Sequence, residues 1–317
     1  MNDIEFKKWT LKHQNSPLIA KTADSFASEL IENRAHYLYS VTTDQKDIRY
    51  IDNCNHIALL STIPEPIRRS FYDDIYINYS WHTYHEILEL SIYNAYRDHN
   101  IQILKDGLHT YNRLCFGQNL TTQNGYNQSG SYLELIYAFA DADIPLIKRY
   151  LPIELGLANS NTVPFFRVAY NLILALLHPE EKHINKALND AKSYCSKRSI
   201  PKLDLLTVQY LIAIAEGNSS KASESLQLLA ENYRKITWLF HCKDDYLKYF
   251  GLYIYGLYYI SYFIPNSAIF QQISAPKSPY LWEEFDTYTI DNSFKTGSCT
   301  IDFKGELRGL TRLFNLS

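Results

Sequence analysis

LLTVQYLIAIAEGNSSKASESLQLLAENY, residues 205–233, decides the fold. Two apolar runs flank a four-residue polar interruption, Glu216-Gly217-Asn218-Ser219. Tyr210, Ala213 and Ala215 precede it; Ala222, Leu226, Leu229 and Tyr233 follow at three- and four-residue steps. That spacing puts one apolar stripe on each of two helices. Glycine followed by asparagine stops the first helix and starts the second. The segment therefore reads as a helical hairpin with small residues along its seam.

Working outward, the same layout recurs. Asp98-His99-Asn100 separates Ile87–Tyr96 from Ile101–Leu114, and Asp141-Ala142-Asp143 separates Tyr132–Ala140 from Ile144–Leu151. His178-Pro179-Glu180 separates Phe165–Leu177 from Ile184–Tyr194. The breaks return about every 40 residues, a period that marks helix–turn–helix repeats. An amphipathic hairpin cannot bury both faces alone, so neighbours stack. The expected fold is all-α: stacked helical hairpins in a tetratricopeptide-like superhelix. Residues 1–264 are expected to form one continuous array, and 265–317 an extension packed on it.

Toward the N-terminus, residues 1–16 read as a loose lead-in. A helix is expected over Leu18–Tyr39, capped near Thr22 or Asp24, and another over Asp44–Thr62, stopped by Ile63-Pro64-Glu65-Pro66. Cys115–Ser131, rich in Asn, Gln, Thr and Gly, reads as an exposed loop. Beyond Pro265 the helical pattern lapses. Leu281–Phe285 reads as a short helix, whereas Thr287–Ile290 and Cys299–Phe303 alternate like the strands of a small β-hairpin. Helical spacing resumes over Leu307–Leu316.

Composition narrows the function. The chain has 317 residues, 31 basic and 34 acidic, and its basic clusters are pairs such as Lys7-Lys8, Arg68-Arg69 and Lys197-Arg198. A nucleic-acid binder draws its affinity from a basic excess, which is missing, so no nucleic-acid partner is expected. The five cysteines, Cys54, Cys115, Cys195, Cys242 and Cys299, form no CxxC pair; they suit a reducing compartment. The N-terminus has acids early and no apolar core of a signal peptide, so a cytoplasmic location is expected. The uncharged stretch Tyr249–Ile264 is shorter than the roughly 20 residues of a membrane span and is expected to be a buried or interface helix. Tyrosine is the outlier at 27 residues, against 11 glycines and 11 prolines. Few breakers favour long helices, and tyrosine fills wide seams while its hydroxyl stays hydrogen-bonded.

Tests for chemistry return little. The phosphate-binding, zinc-protease and serine-esterase motifs are missing. His82 and His85 stand about one helical turn apart, but Glu86 follows His85 directly and points about 100° away, so the zincin arrangement fails. Neither a metal nor a cofactor is expected, and the chain is read as non-catalytic. The stronger features are for binding. Tyr246, Phe250, Tyr253, Tyr255, Tyr258, Tyr259 and Tyr262 put aromatics on both faces of a helix, which implies burial between neighbouring helices, or an anchor surface where one face is open. Two segments join acid to aromatic: Asp73-Asp74 beside Tyr76, and Trp282-Glu283-Glu284 with Asp286. That composition suits a basic protein partner.

The hairpin body over roughly residues 80–265, with Trp81 opening one helix, repeated Tyr-Leu-Ala faces and the run Tyr246–Ile264, resembles the all-helical immunity proteins of bacterial polymorphic toxin systems, immunity protein family forty-nine in particular. The resemblance implies a cytosolic antidote that occludes the active site of a cognate toxin. The competing expectations are a helical-repeat scaffold or peptide-binding regulator, and a metal-dependent helical hydrolase using His82 and His85.

Overall fold

The computed structural model describes residues 3–43, 81–120, 129–159, 163–240 and 245–316. Among the described residues there are thirteen α-helices and no strand, so the protein is all-α. None of these helices is long and apolar enough to cross a membrane. The chain divides into two compact units: Met1–Trp9 with Gln128–Lys295, and Thr10–Asn127 with Thr296–Ser317. Residues 265–295 therefore group with the preceding hairpins, and 296–317 with the N-terminal part of the chain.

All four helix breaks lie where the sequence puts them. In the second unit α3 (Trp81–Asp98) turns at His99-Asn100 into α4 (Ile101–Leu120). In the first unit α5 (Tyr132–Asp141) turns into α6 (Ile144–Tyr150), α7 (Pro164–Leu177) into α8 (Glu181–Cys195), and α9 (Lys202–Ala215) into α10 (Ser219–Glu231). The members of each pair pack on one another. Capping chemistry fixes the corners. Asp143 accepts the Leu146 amide at 3.1 Å, and Asn218 accepts the Lys221 amide at 3.0 Å. Gly217 takes a left-handed φ of 70°, where a Cβ is disfavoured.

In the first unit, α7 packs on α5 and α9, and α8 on α9. Helix α11 (Leu252–Phe263) then lies against α5 and α10. Its burial is as the double-faced aromatic pattern implies: Tyr253, Tyr255, Tyr258 and Tyr259 are all in the core. The helix starts later than the run at Tyr246 suggests. Gly251 donates its amide to the Tyr280 carbonyl at 2.7 Å, and its bare Cα is pressed against that peptide, so the chain breaks there before α11 begins.

Several expectations are corrected. Residues 3–13 form a helix, α1 (Asp3–His13), because Phe6 and Trp9 share a buried face. Helix α2 (Ala23–Thr43) begins later than Leu18, and Thr22 caps it, its side chain accepting the Ser25 amide at 3.2 Å. Cys115–Leu120 belongs to α4 and not to a loop, since Leu114, Cys115 and Phe116 prolong the buried apolar face. The β-hairpin over 287–303 is replaced by helix α12 (Glu283–Asp291) and irregular chain. Leu281, Phe285 and Thr289, four residues apart and all buried, outweigh the local alternation. Residues 44–66, including the expected second helix, lie outside the described residues.

In the second unit the C-terminal chain runs over α4 as a strap. The Ser298 amide donates to Asp106 at 2.7 Å and the Thr300 amide to Thr110 Oγ1 at 2.9 Å, while Gly297 sits on the Lys105 peptide where a Cβ would overlap. Arg113 donates to the Leu313 carbonyl at 2.7 Å. Helix α13 (Thr311–Phe314) closes onto α4.

Gly256 gives the sharpest test of this packing. A Cβ there would overlap the carbonyl oxygen and side chain of Ile136 on α5. At an ordinary helical site Gly→Ala stabilises by about 1 kcal/mol. At Gly256 the sign reverses, because the obstacle is backbone: Gly256→Ala lowers unfolding stability by about 1–3 kcal/mol, read from a urea melt.

Candidate functional site

The acidic and aromatic segment at 282–286 is built from the N-terminus of α12. Glu283, Glu284 and Asp286 all lie in its first turn, where carboxylates meet the positive end of the helix dipole. Two tyrosines of α11 pin that turn. Tyr255 donates its hydroxyl to the Trp282 carbonyl at 2.7 Å, and Tyr259 donates to Asp286 Oδ1 at 2.8 Å. Phe285 packs beside them, its ring 4.9 Å from Tyr255 and 5.5 Å from Phe250.

This geometry separates the four predicted residues. Trp282 is 7 % exposed and serves as packing, not as a free anchor. Asp286 is half-buried. Burial raises its carboxyl above the ordinary range, the Tyr259 hydrogen bond pulls it back, and the charge of Glu283 adds to the rise. Glu283 and Glu284 are exposed. The outward-facing part of the segment is thus a glutamate pair on a rigid turn. Asp73, Asp74 and Tyr76 lie outside the described residues.

The histidine pair on α3 is engaged in other ways. His85 packs edge-on against Tyr111 at 5.1 Å, and Glu86 is held by Lys21 at 2.6 Å, with Glu29 on the same ammonium at 2.5 Å. His82 is exposed. Cys115, Cys195 and Cys299 are free thiols, and burial pushes Cys299 up to about 11. A thiol held so far from thiolate is a poor nucleophile at neutral pH.

A second constellation, which the sequence pattern did not single out, gathers around Trp238. Its ring lies 5.2 Å from Phe166 and 5.6 Å from Phe165 on α7, and 5.5 Å from Tyr253 on α11. Tyr132 of α5 stacks on Phe166 at 5.4 Å and shares a 2.7 Å hydrogen bond with the Tyr253 hydroxyl. The Trp238 indole donates to Asp204 Oδ1 at 3.0 Å. Near the start of α5, half-buried Glu134 has its carboxyl pushed by burial up to about 7, only partly offset by a hydrogen bond to its own backbone. Neither Asp204 nor Glu134 has a distinctive sequence neighbourhood; an acid in a first helical turn is commonplace.

No family model, curated protein or solved structure matches this chain.

Two predictions test the electrostatics. Tyr259→Phe strands the half-buried Asp286 carboxylate and lowers stability by about 1.5–3 kcal/mol at neutral pH. Without its donor Asp286 titrates higher still, so the deficit in a denaturant melt is larger at pH 7 than at pH 4. For Glu134 the folded-state value of about 7 lies above the ordinary 4.5. The folded state therefore binds the proton more tightly, and its contribution is full below about 4.5 and lost as pH rises through about 7. Glu134→Gln removes that loss: the melting temperature of the variant falls less between pH 5 and 8 than that of the parent.

Proposed function

We propose that this protein is a non-catalytic binding protein that neutralises a cognate bacterial toxin by covering its active site. The observation that carries the reading is the Glu283–Glu284 pair. Both carboxylates are exposed on a turn whose flanking residues, Trp282 and Asp286, are tied to α11 by tyrosine hydroxyls. A preorganised acidic turn meets a basic cleft without the ordering cost that a mobile loop incurs. Opposite charge speeds encounter and disfavours wrong partners. Enzymes that cut nucleic acid present basic clefts, so a toxin of that class fits the chemistry. The resemblance of the helical hairpins and the run Tyr246–Ile264 to toxin immunity proteins supports the same reading.

The test is co-expression with the product of the adjacent gene. A stoichiometric complex that rescues cells from that product's toxicity is expected. Absence of both a complex and toxicity would overturn the reading. Within a complex, Glu283→Lys with Glu284→Lys weakens binding by about tenfold or more, mainly through a slower association rate that no longer falls as salt is added. Asp286 is left intact, since its replacement would break the Tyr259 contact and confuse folding with binding.

A further inference from the structure

Asp204 sits in the first turn of α9 and is 8 % exposed. Trp238 Nε1–H is its only hydrogen-bond partner among the described residues, and no lysine, arginine or histidine among them forms an ion pair with it. A neutral indole does not cancel a full negative charge. The helix dipole offsets only a small part of what desolvating an ion costs.

The surroundings of this carboxylate are aromatic. Trp238 and Phe166 are half-exposed and make the outer rim, with Tyr132 and Tyr253 behind them. Tyr194, at the end of α8, is near enough to feel the charge: burial first, and then Asp204, hold its hydroxyl up at about 12. Trp238 is carried on a four-residue 3-10 turn, Thr237–Phe240, and not on a long helix. Ring quadrupoles attract cations, most strongly at tryptophan, and a buried carboxylate supplies the countercharge.

We propose that Asp204 with the rings of Trp238 and Phe166 forms a binding site for an organic cation, a guanidinium or alkylammonium group. The group is supplied by a free small molecule or by an arginine or lysine side chain of a protein. The site shares no residue with the Glu283–Glu284 turn, so either can fail alone.

The experiment is a titration of the full chain followed by NMR at the tryptophan indole N–H signals, with the Trp238 signal assigned from Trp238→Phe. Methylguanidinium, butylammonium and a short arginine-containing peptide are the probes, and sodium chloride at equal ionic strength is the control. A saturable shift of the Trp238 signal below about 50 mM is expected. Saturation by the free cations identifies a small-molecule site, and saturation by the peptide alone identifies a side-chain site. Asp204→Asn keeps an oxygen to accept the indole N–H but removes the charge; it weakens the response about tenfold. Phe166→Leu, which trims the rim, weakens it as well. A response equal to that of sodium chloride for every probe overturns the proposal. So does full affinity in a folded Asp204→Asn variant, with folding checked by its thermal melt.

Discussion

Buried tyrosine hydroxyls that reach acceptors across the seams tie the elements of the first unit together. Tyr170 donates to the carbonyl of Tyr150, the last residue of α6. Tyr210 donates to Leu257, Tyr233 to Leu247, Tyr255 to Trp282 and Tyr259 to Asp286, each at 2.7–2.8 Å. Tyr132 and Tyr253 pair with one another. Helix ends leave carbonyls without intrahelical partners, and turns leave more. A tyrosine crossing the seam satisfies such a carbonyl from a neighbouring element while its ring fills the gap between helices. The ring contributes burial, which is tolerant of position. The hydroxyl contributes direction, which is not. That combination lets hairpins with ordinary aliphatic stripes take one packing out of several.

Packing of the same rings sets where α11 lies. Its aromatic side chains are too large for close approach of two helices, yet Gly256 brings the α11 backbone onto Ile136. Bare backbone at one position and large rings at the others form a shape that only one register of α5 against α11 satisfies. Phe294, at a left-handed φ of 55°, shows what that packing can hold. Such a conformation costs a bulky residue about 1–2 kcal/mol. The ring stacks 3.7 Å from Tyr262 and stands edge-on to Tyr259, contacts that offset the cost and end α12 cleanly.

The hairpins were legible because their corners are written in residue types with one physical use: Gly217-Asn218, Pro179, and Asp143 ahead of an apolar run. Burial of the tyrosine helix was legible because aromatics on both faces leave no polar side for water. The misreadings have equally definite causes. Thr287–Ile290 alternates like a strand, but the competing period runs through Leu281, Phe285 and Thr289, two of them outside the alternating segment. Cys115–Leu120 precedes a polar stretch and takes its composition from it, while its burial comes from the face begun at Leu104 and Leu108. In the acidic segment, charge beside an aromatic is equally consistent with a free anchor and with a packed ring. Only the Tyr255 and Tyr259 hydroxyls, some 27 residues away in sequence, decide that Trp282 and Asp286 turn inward.

Three carboxylates show how the surroundings assign different uses to the same group. Asp286 receives a hydroxyl and has Glu283 and Glu284 beside it, so it supports a surface that remains acidic. Glu134 is pushed up to about 7 by burial, and at neutral pH it is close to half protonated, which relieves its own cost. Asp204 is 8 % exposed and, among the described residues, receives one neutral donor, the Trp238 indole, within a ring cluster. Burial raises its carboxyl above the ordinary value, and the indole N–H hydrogen bond, which favours the charged form, offsets part of that rise. A buried carboxylate among aromatic rings, with no ion-pair partner among the described residues, is the kind of group that a cation from outside the chain complements.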